Sequence, residues 1–559
     1  MCYRRPAMSL LNRLAAPQRR PALEAVGVTL LVTVGLIVSH HSRAPSWYPS
    51  GSDWDQWYSS ALALSREVHY PETRWPLYGM LAALLDLLVP GPLHRDATLL
   101  SLLATGGAAG GLYRIGRGWI GPIASAVAVV LSVSHPFVRE HASWIGAYSL
   151  WACLAVGGAL ALRAAAQGAN GYIWLGLMIG ANFAVMEKGL LLGGVLGALA
   201  ILLFLTESRR PADLARMAVP FGLLALVYAL FPYPLASLDT IAALPVGQIA
   251  PPTPGGGPPV DLTGEGYVFG KAMGPSTLWS TFTTLSQGRE LGTGASAETV
   301  LGRLADAMPG VHLVGVGYGL AVGAFAGLIA VARRSWQRAR GTLLPGSAEA
   351  ADVWGLLGLI GVLVAAAPAF RTSIEIRFLA PALVVAPLVA LLPLTFLPVW
   401  GRALAPLLLP LCLVSASPWS GSPWLCYPGK RQGADDGERF AAKLWFELKQ
   451  DLPDAIIDVS APRAGGLLLI DSHGGRVFEA PDLRGETLDP GHYLLLWLPN
   501  TRGELVGRTA EGLNLSSQPG APSPGSSEEA VDLSGRAVLR QWRHPVNPGL
   551  VVLVSPVSA

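Results

Sequence analysis

The chain has 559 residues, of which 51% are hydrophobic and only 14% charged, and a net charge of +3. Soluble globular domains carry about 25% charged residues, so this composition excludes an ordinary soluble protein. A near-neutral balance gives no basic footprint for nucleic acid. The shortage of charge is uneven: apolar runs recur from Ala22 to Ala416 and stop from Ser417 onward.

In chain order, Arg4, Arg5, Arg13, Arg19 and Arg20 precede the first apolar run. Basic residues beside a span are retained on the cytoplasmic side, so residues 1–23 read as a cytoplasmic tail and the first run as a retained anchor. A spanning helix needs about 17–25 mostly apolar residues. The segments 24–40, 97–113, 119–135, 146–166, 171–187, 188–206, 212–232, 310–332, 353–370, 377–399 and 401–417 meet that need. The run 76–90 is shorter and contains Asp86. With Arg209, Arg210 and the stretch Val331–Arg340 placed inside, the parity closes if 76–90 lies in the interface or re-enters. A twelve-span alternative keeps it as a crossing. Cys2, Cys153, Cys412 and Cys426 make no disulfide framework.

The transmembrane domain is therefore expected over 24–417, with outer loops 41–96 and 233–308. The first loop is dense in Trp and Tyr, which suits a membrane interface. The second contains PPTPGGGPP, a tract that makes no regular structure. Residues 430–559 read as a soluble α/β domain on the outer side. A helix is expected over 436–450, strands over 466–471, 492–498, 537–542 and 550–555, and a loop over 516–529.

Charged groups in or beside apolar runs are costly and are functional candidates. Asp53 and Asp55 stand before a helical stretch, 54–66, in the first loop. There the helix dipole favours the carboxylate, and an ionised carboxylate can act as general base; the alternative role is plain helix capping. Arg66, His69, Glu72 and Arg74 follow, either as a phosphate-binding set or as solvated ion pairs. His135, Arg139, Glu140 and His141 form a second cluster, and the alternative for it is an interfacial belt. Glu187 and Lys188 sit at a polar break, either a phosphate contact or a simple hairpin. Arg371, Glu375 and Arg377 form the fourth cluster. Parity puts all four on one face. The chain carries no zinc, Walker or dinucleotide motif; no cofactor is expected, with a divalent metal left open.

The arrangement resembles the GT-C membrane glycosyltransferases, among them protein O-mannosyltransferases and lipid A aminoarabinose transferases. The matching pieces are Asp53, Tyr58 and Ala61 in the first loop, Pro76–Tyr78, the Gly-rich run from Gly176 to Gly189, and Glu375–Pro381 (EIRFLAP). The resemblance implies an α-helical polytopic membrane protein, GT-C-like, with about eleven transmembrane helices and a small C-terminal α/β soluble domain. It implies transfer of a sugar from a polyprenyl-phosphate donor to a lipid, glycan or protein acceptor. Asp53, or else Asp55, would be the general base. Arg74, Lys188 and Arg377 would bind the carrier phosphate, and His135, Arg139, His141 and Glu375 would line the same site. Membrane lipids are the expected surroundings. A transporter or channel, or a non-catalytic scaffold, remains the alternative reading.

Overall fold

A computed structural model describes residues 20–43, 47–48, 57–58, 61, 76–89, 91–168, 170–186, 189–206, 210–229, 322–341, 347–366, 380–409, 432–460, 477–478, 488–499, 501, 503–513, 533–545 and 549–557. The chain divides into two compact units. One holds residues 1–47 and 56–429, and the other residues 48–55 and 430–559.

The first unit is helical. It comprises α1 (Arg20–Arg43), α2 (Pro76–Leu88), α3 (Leu93–Ile120), α4 (Pro122–Ser134), α5 (Pro136–His141), α6 (Ala147–Gln167), α7 (Asn170–Val185), α8 (Gly189–Thr206) and α9 (Pro211–Ala229). These are followed by α10 (322–339), α11 (Ala348–Ala366) and α12 (Ala380–Ala390). Among the described residues, four helices are long and apolar enough to cross a membrane, within α1, α6, α8 and α11; the bent pair α2–α3 adds a fifth if it counts as one span. The protein is a multi-pass membrane protein. Leu30, Leu31, Val34 and Val38 of α1 stand exposed, and a bare apolar stripe of this kind is stable only against hydrocarbon.

α2 and α3 meet at 113°. The thirteen residues of α2 reach only about 20 Å, against a hydrocarbon core of about 30 Å. The run 76–90 thus has the geometry of a broken or re-entrant segment. Three other expected runs differ in detail. Trp119 and Ile120 belong to α3, because Gly121 (φ 84°) ends that helix in a backbone conformation that suits glycine, and Pro122 starts α4. The expected span 377–399 breaks after α12 into a 3₁₀ turn, Leu392–Phe396. The described part of 401–417 holds only the end of a short helix, Val399–Arg402, and a 3₁₀ turn, Ala405–Leu408, rather than a continuous helix. Pro393, Pro398 and Pro406 supply the reason, since each lacks an N–H and its ring crowds the carbonyl four residues back.

α6 is the hub of this unit, packing against α3, α7, α8, α11 and α12. α1 lies along α3, and small residues set the spacing. A Cβ on Gly106 would collide with the Thr33 side chain, and one on Gly110 with the Thr29 side chain and, at 2.7 Å, the Ala25 carbonyl. Glycines four apart on α3 therefore let the two backbones approach.

The second unit is a mixed sheet with a helix, α13 (Gln432–Asp451). Its strands are β1 (Ile457–Ser460), β2 (Val477–Phe478), β3 (Tyr493–Pro499), β4 (Val538–Arg543) and β5 (Gly549–Val554), in the order β2-β1-β3-β5-β4. β1 runs parallel to β2 and β3, whereas β3, β5 and β4 are antiparallel neighbours. β5 is GLVVLV, buried throughout, as a central strand covered on both faces requires. Leu494, Leu496, Leu498, Val552 and Val554 form one core layer. On α13, Glu447 accepts from Trp542 Nε1 at 3.2 Å. β1 and β2 were not expected, and the expected strand 466–471 lies outside the described residues. Tyr48 stacks on Phe446 of α13 with ring centroids 5.9 Å apart.

Candidate functional site

Asp53, Asp55, Arg74, Lys188, Glu375 and Arg377 lie outside the described residues, as do Arg66, His69, Glu72, Glu187 and Arg371. What is described is the end of the helical unit to which the residues after Asp55 belong. Trp57, Tyr58 and Ala61 are helical and buried, and their three- and four-residue spacing puts them on one face. The Trp57 ring meets Tyr78 edge-on at 5.7 Å.

Tyr78 opens a chain of hydrogen bonds. Its hydroxyl donates to Ala97 O at 2.8 Å and lies 3.2 Å from Ser101 Oγ. Ser101 donates to Trp144 O at 2.7 Å. Each hydroxyl has one hydrogen, and the Ser101 hydrogen is committed to Trp144. The Tyr78 hydrogen is then the one shared between Ala97 O and Ser101 Oγ. Three elements, α2, α3 and the turn before α6, are thereby pinned together without a charge.

His135, Arg139 and His141 follow around this turn. His135 caps α4 and donates its N–H to Ser132 O at 3.3 Å; its own carbonyl accepts from Arg139 N at 3.0 Å. Pro136 starts α5. Arg139 is half-buried, whereas His141 is buried. Positions two apart on a helix diverge by about 200°, so Arg139 and His141 do not share a face. The His141 ring packs 3.8 Å from Trp144 and edge-on to Tyr148 at 5.9 Å, and its carbonyl accepts from Ser149 Oγ at 3.0 Å. Ser101 and the Arg95–Asp96 ion pair (3.3 Å, with Asp96 fully buried) were missed from sequence. The run PLHRDATLL at the mouth of α3 carried the signal, since an acid–base pair opening an apolar helix is costly unless matched. Among the described residues no three His, Cys, Asp or Glu side chains gather as metal ligands would.

The opposite end of the same bundle is held by charge. Arg163, at the end of α6, pairs with Asp352, in the first turns of α11, at 2.5 Å with both side chains buried. Arg334 adds a second cation at 3.8 Å from Asp352. Its guanidinium lies 3.7 Å above the Trp119 ring and donates to Gly118 O at 3.1 Å. Trp119 Nε1 donates to Asp352 O at 3.2 Å. Glu24 of α1 pairs with Arg117 and accepts from Tyr113, both at 2.9 Å. A cavity of about 470 Å³ opens here between α8, α10 and α11.

In the sheet unit, buried Asp458 lies 3.2 Å from His492 Nδ1. Arg536 donates to Asp489 O at 2.6 Å and His492 O at 2.7 Å. Burial lowers the Arg536 pKa from its usual value, and the Asp458 and Asp489 carboxylates oppose that shift.

No family model matches the chain, and no curated protein matches it. Among solved structures it is similar to ArnT from Cupriavidus metallidurans bound to undecaprenyl phosphate, at 12% identity and a TM-score of 0.39, covering 95% of this chain and 97% of that one. It is also similar to the Archaeoglobus fulgidus oligosaccharyltransferase in the apo form, at 12% identity and a TM-score of 0.40, covering 85% of this chain and 65% of that one.

Proposed function

We propose that the protein is a GT-C-type membrane glycosyltransferase that moves a sugar from a polyprenyl-phosphate donor to an acceptor at the outer face. The observation that carries the reading is the seating of Trp57, Tyr58 and Ala61 in the bundle. Tyr58 and Ala61 are the positions through which the first loop resembles that family, and Asp53 and Asp55 stand directly before them in sequence. The polar end of the bundle, with Tyr78, Ser101, His135 and Arg139, belongs to the unit that holds Trp57, Tyr58 and Ala61, whereas Asp53 and Asp55 fall in the other unit.

In this reading Asp53 takes the proton from an acceptor hydroxyl or amine as that atom attacks the anomeric carbon. The bond from that carbon to the carrier phosphate oxygen breaks, and the polyprenyl phosphate leaves with the electron pair. Arg74, Lys188 and Arg377 bind the phosphate and offset the charge that grows on it. His135, Arg139, His141 and Glu375 shape the surroundings, with His141 acting through the Trp144–Tyr148 packing. The outward orientation is supported by arginine placement: Arg114, Arg117, Arg163, Arg334 and Arg338 all fall at the opposite end.

The test is transfer of radiolabelled sugar from a polyprenyl-phosphate donor by the purified chain in lipid. Asp53→Asn is expected to slow transfer by about 10²–10⁴-fold, the usual contribution of a positioned base. Unchanged transfer in both Asp53→Asn and Asp55→Asn, in folded protein, removes the reading.

A further inference from the structure

The cavity at the Arg334 end lies at the opposite end of the bundle from Tyr78, Ser101 and His135. Leu202 and Thr206 of α8, Arg334 and Arg338 of α10, and Trp354 and Leu357 of α11 contribute to its lining. Apolar walls dominate, with two guanidinium side chains among them. Thr206 is the last residue of α8, and the α11 residues belong to that helix's first turns. The cavity therefore lies level with helix ends, where hydrocarbon gives way to head groups.

Two neighbouring features mark the same level. Ile201, Leu202 and Leu205 of α8 are exposed, a surface that acyl chains cover in a membrane. Trp336 is exposed and carries the Arg340 guanidinium 4.7 Å from its ring centroid, the pairing of ring and cation found at membrane interfaces. Arg334 is already fixed by Asp352, Gly118 O and Trp119, so its position is set before any ligand arrives.

We propose that this cavity binds the head group of an anionic glycerophospholipid from the leaflet at that end. The lipid phosphate meets Arg334 and Arg338, and the acyl chains run down the exposed face of α8. Basic pockets between helices on the cytoplasmic side suit such head groups. A volume near 470 Å³ exceeds what a free phosphate fills, and a free phosphate gains nothing from Leu202, Trp354 or Leu357. The proposal is independent of sugar transfer.

The experiment compares the full chain in phosphatidylcholine discs and in phosphatidylglycerol discs. Lipid retained after extraction is read by native mass spectrometry, and unfolding temperature is read in parallel. Phosphatidylglycerol is expected to be retained over phosphatidylcholine and to raise the unfolding temperature. Arg338→Gln removes one cation, and Thr206→Trp fills the mouth from an exposed position. Arg338→Gln is expected to retain about fivefold less phosphatidylglycerol, the worth of one basic residue near a lipid surface. Thr206→Trp is expected to lose retention while keeping the wild-type unfolding temperature in phosphatidylcholine; if Arg338→Gln fails to fold, this variant decides. Equal retention of the two lipids, or retention unchanged in Thr206→Trp, overturns the proposal. Equal protection by inorganic phosphate overturns it as well.

Discussion

At the Asp352 end of the helical unit, two arginines share one buried carboxylate; at the Trp144 end, hydroxyls and rings are joined through backbone carbonyls. The first device gains its strength from low dielectric and leaves a costly orphan when one partner goes. The second spends no charge: its donors are hydroxyls and its acceptors are backbone carbonyls and a hydroxyl. A charged lock thus ties α3, α6, α10 and α11 at one end, and a chain of hydroxyls ties α2 and α3 to the turn before α6 at the other.

The comparison is broken most sharply at the lock. Asp352→Ala leaves Arg163 and Arg334 without their carboxylate, and about 3–5 kcal/mol of stability should be lost, read as unfolding temperature in a single detergent. The double variant Arg163→Leu/Asp352→Leu removes the pair together and should recover most of that loss; equal damage in both would show that packing rather than charge holds this end. Gly110→Val comes next. It drives α1 from α3 at the Ala25 carbonyl, an overpacking that costs about 1–3 kcal/mol, and the same thermal scan reads it.

Ser101→Ala tests the uncharged hydroxyl chain. It deprives Trp144 O of its donor and Tyr78 of one acceptor, with an expected cost of about 1–2 kcal/mol. A loss as large as that of Asp352→Ala would overturn the contrast between the two ends. The smallest effect is expected in the sheet unit at Arg540→Ala. Its pair with Asp451 is as short as the Arg163–Asp352 pair but nearly half exposed on both sides, so the change should stay below about 1 kcal/mol. Distance alone does not set the worth of an ion pair; solvent does.

Much of the fold was legible because hydropathy is a local property. The apolar runs at 24–40, 146–166 and 188–206 became α1, α6 and α8. The strands at 492–498, 537–542 and 550–555 became β3, β4 and β5, because alternation and β-branched runs need only neighbours to be read. β1 escaped since IDVS offers four residues with a buried acid among them, and its partner β3 lies far along the chain. In the candidate site, His135, Arg139 and His141 were found by residue type. That Arg139 and His141 point apart followed only from the six-residue helix Pro136–His141 between two turns.

By itself the sequence determined the membrane class, several of the apolar helices and the candidate groups, since each rests on composition or spacing within about twenty residues. The tertiary structure alone decided which of those groups meet. Arg163 reaches Asp352 across 189 residues, and Ser101 reaches Trp144 across 43. It also decided that the short run 76–90 turns aside at 113° instead of continuing into α3. Pairings of this kind are chosen by helix packing, where the cost of an unmatched polar group in an apolar interior selects its partner, and that cost is written in no single stretch of residues.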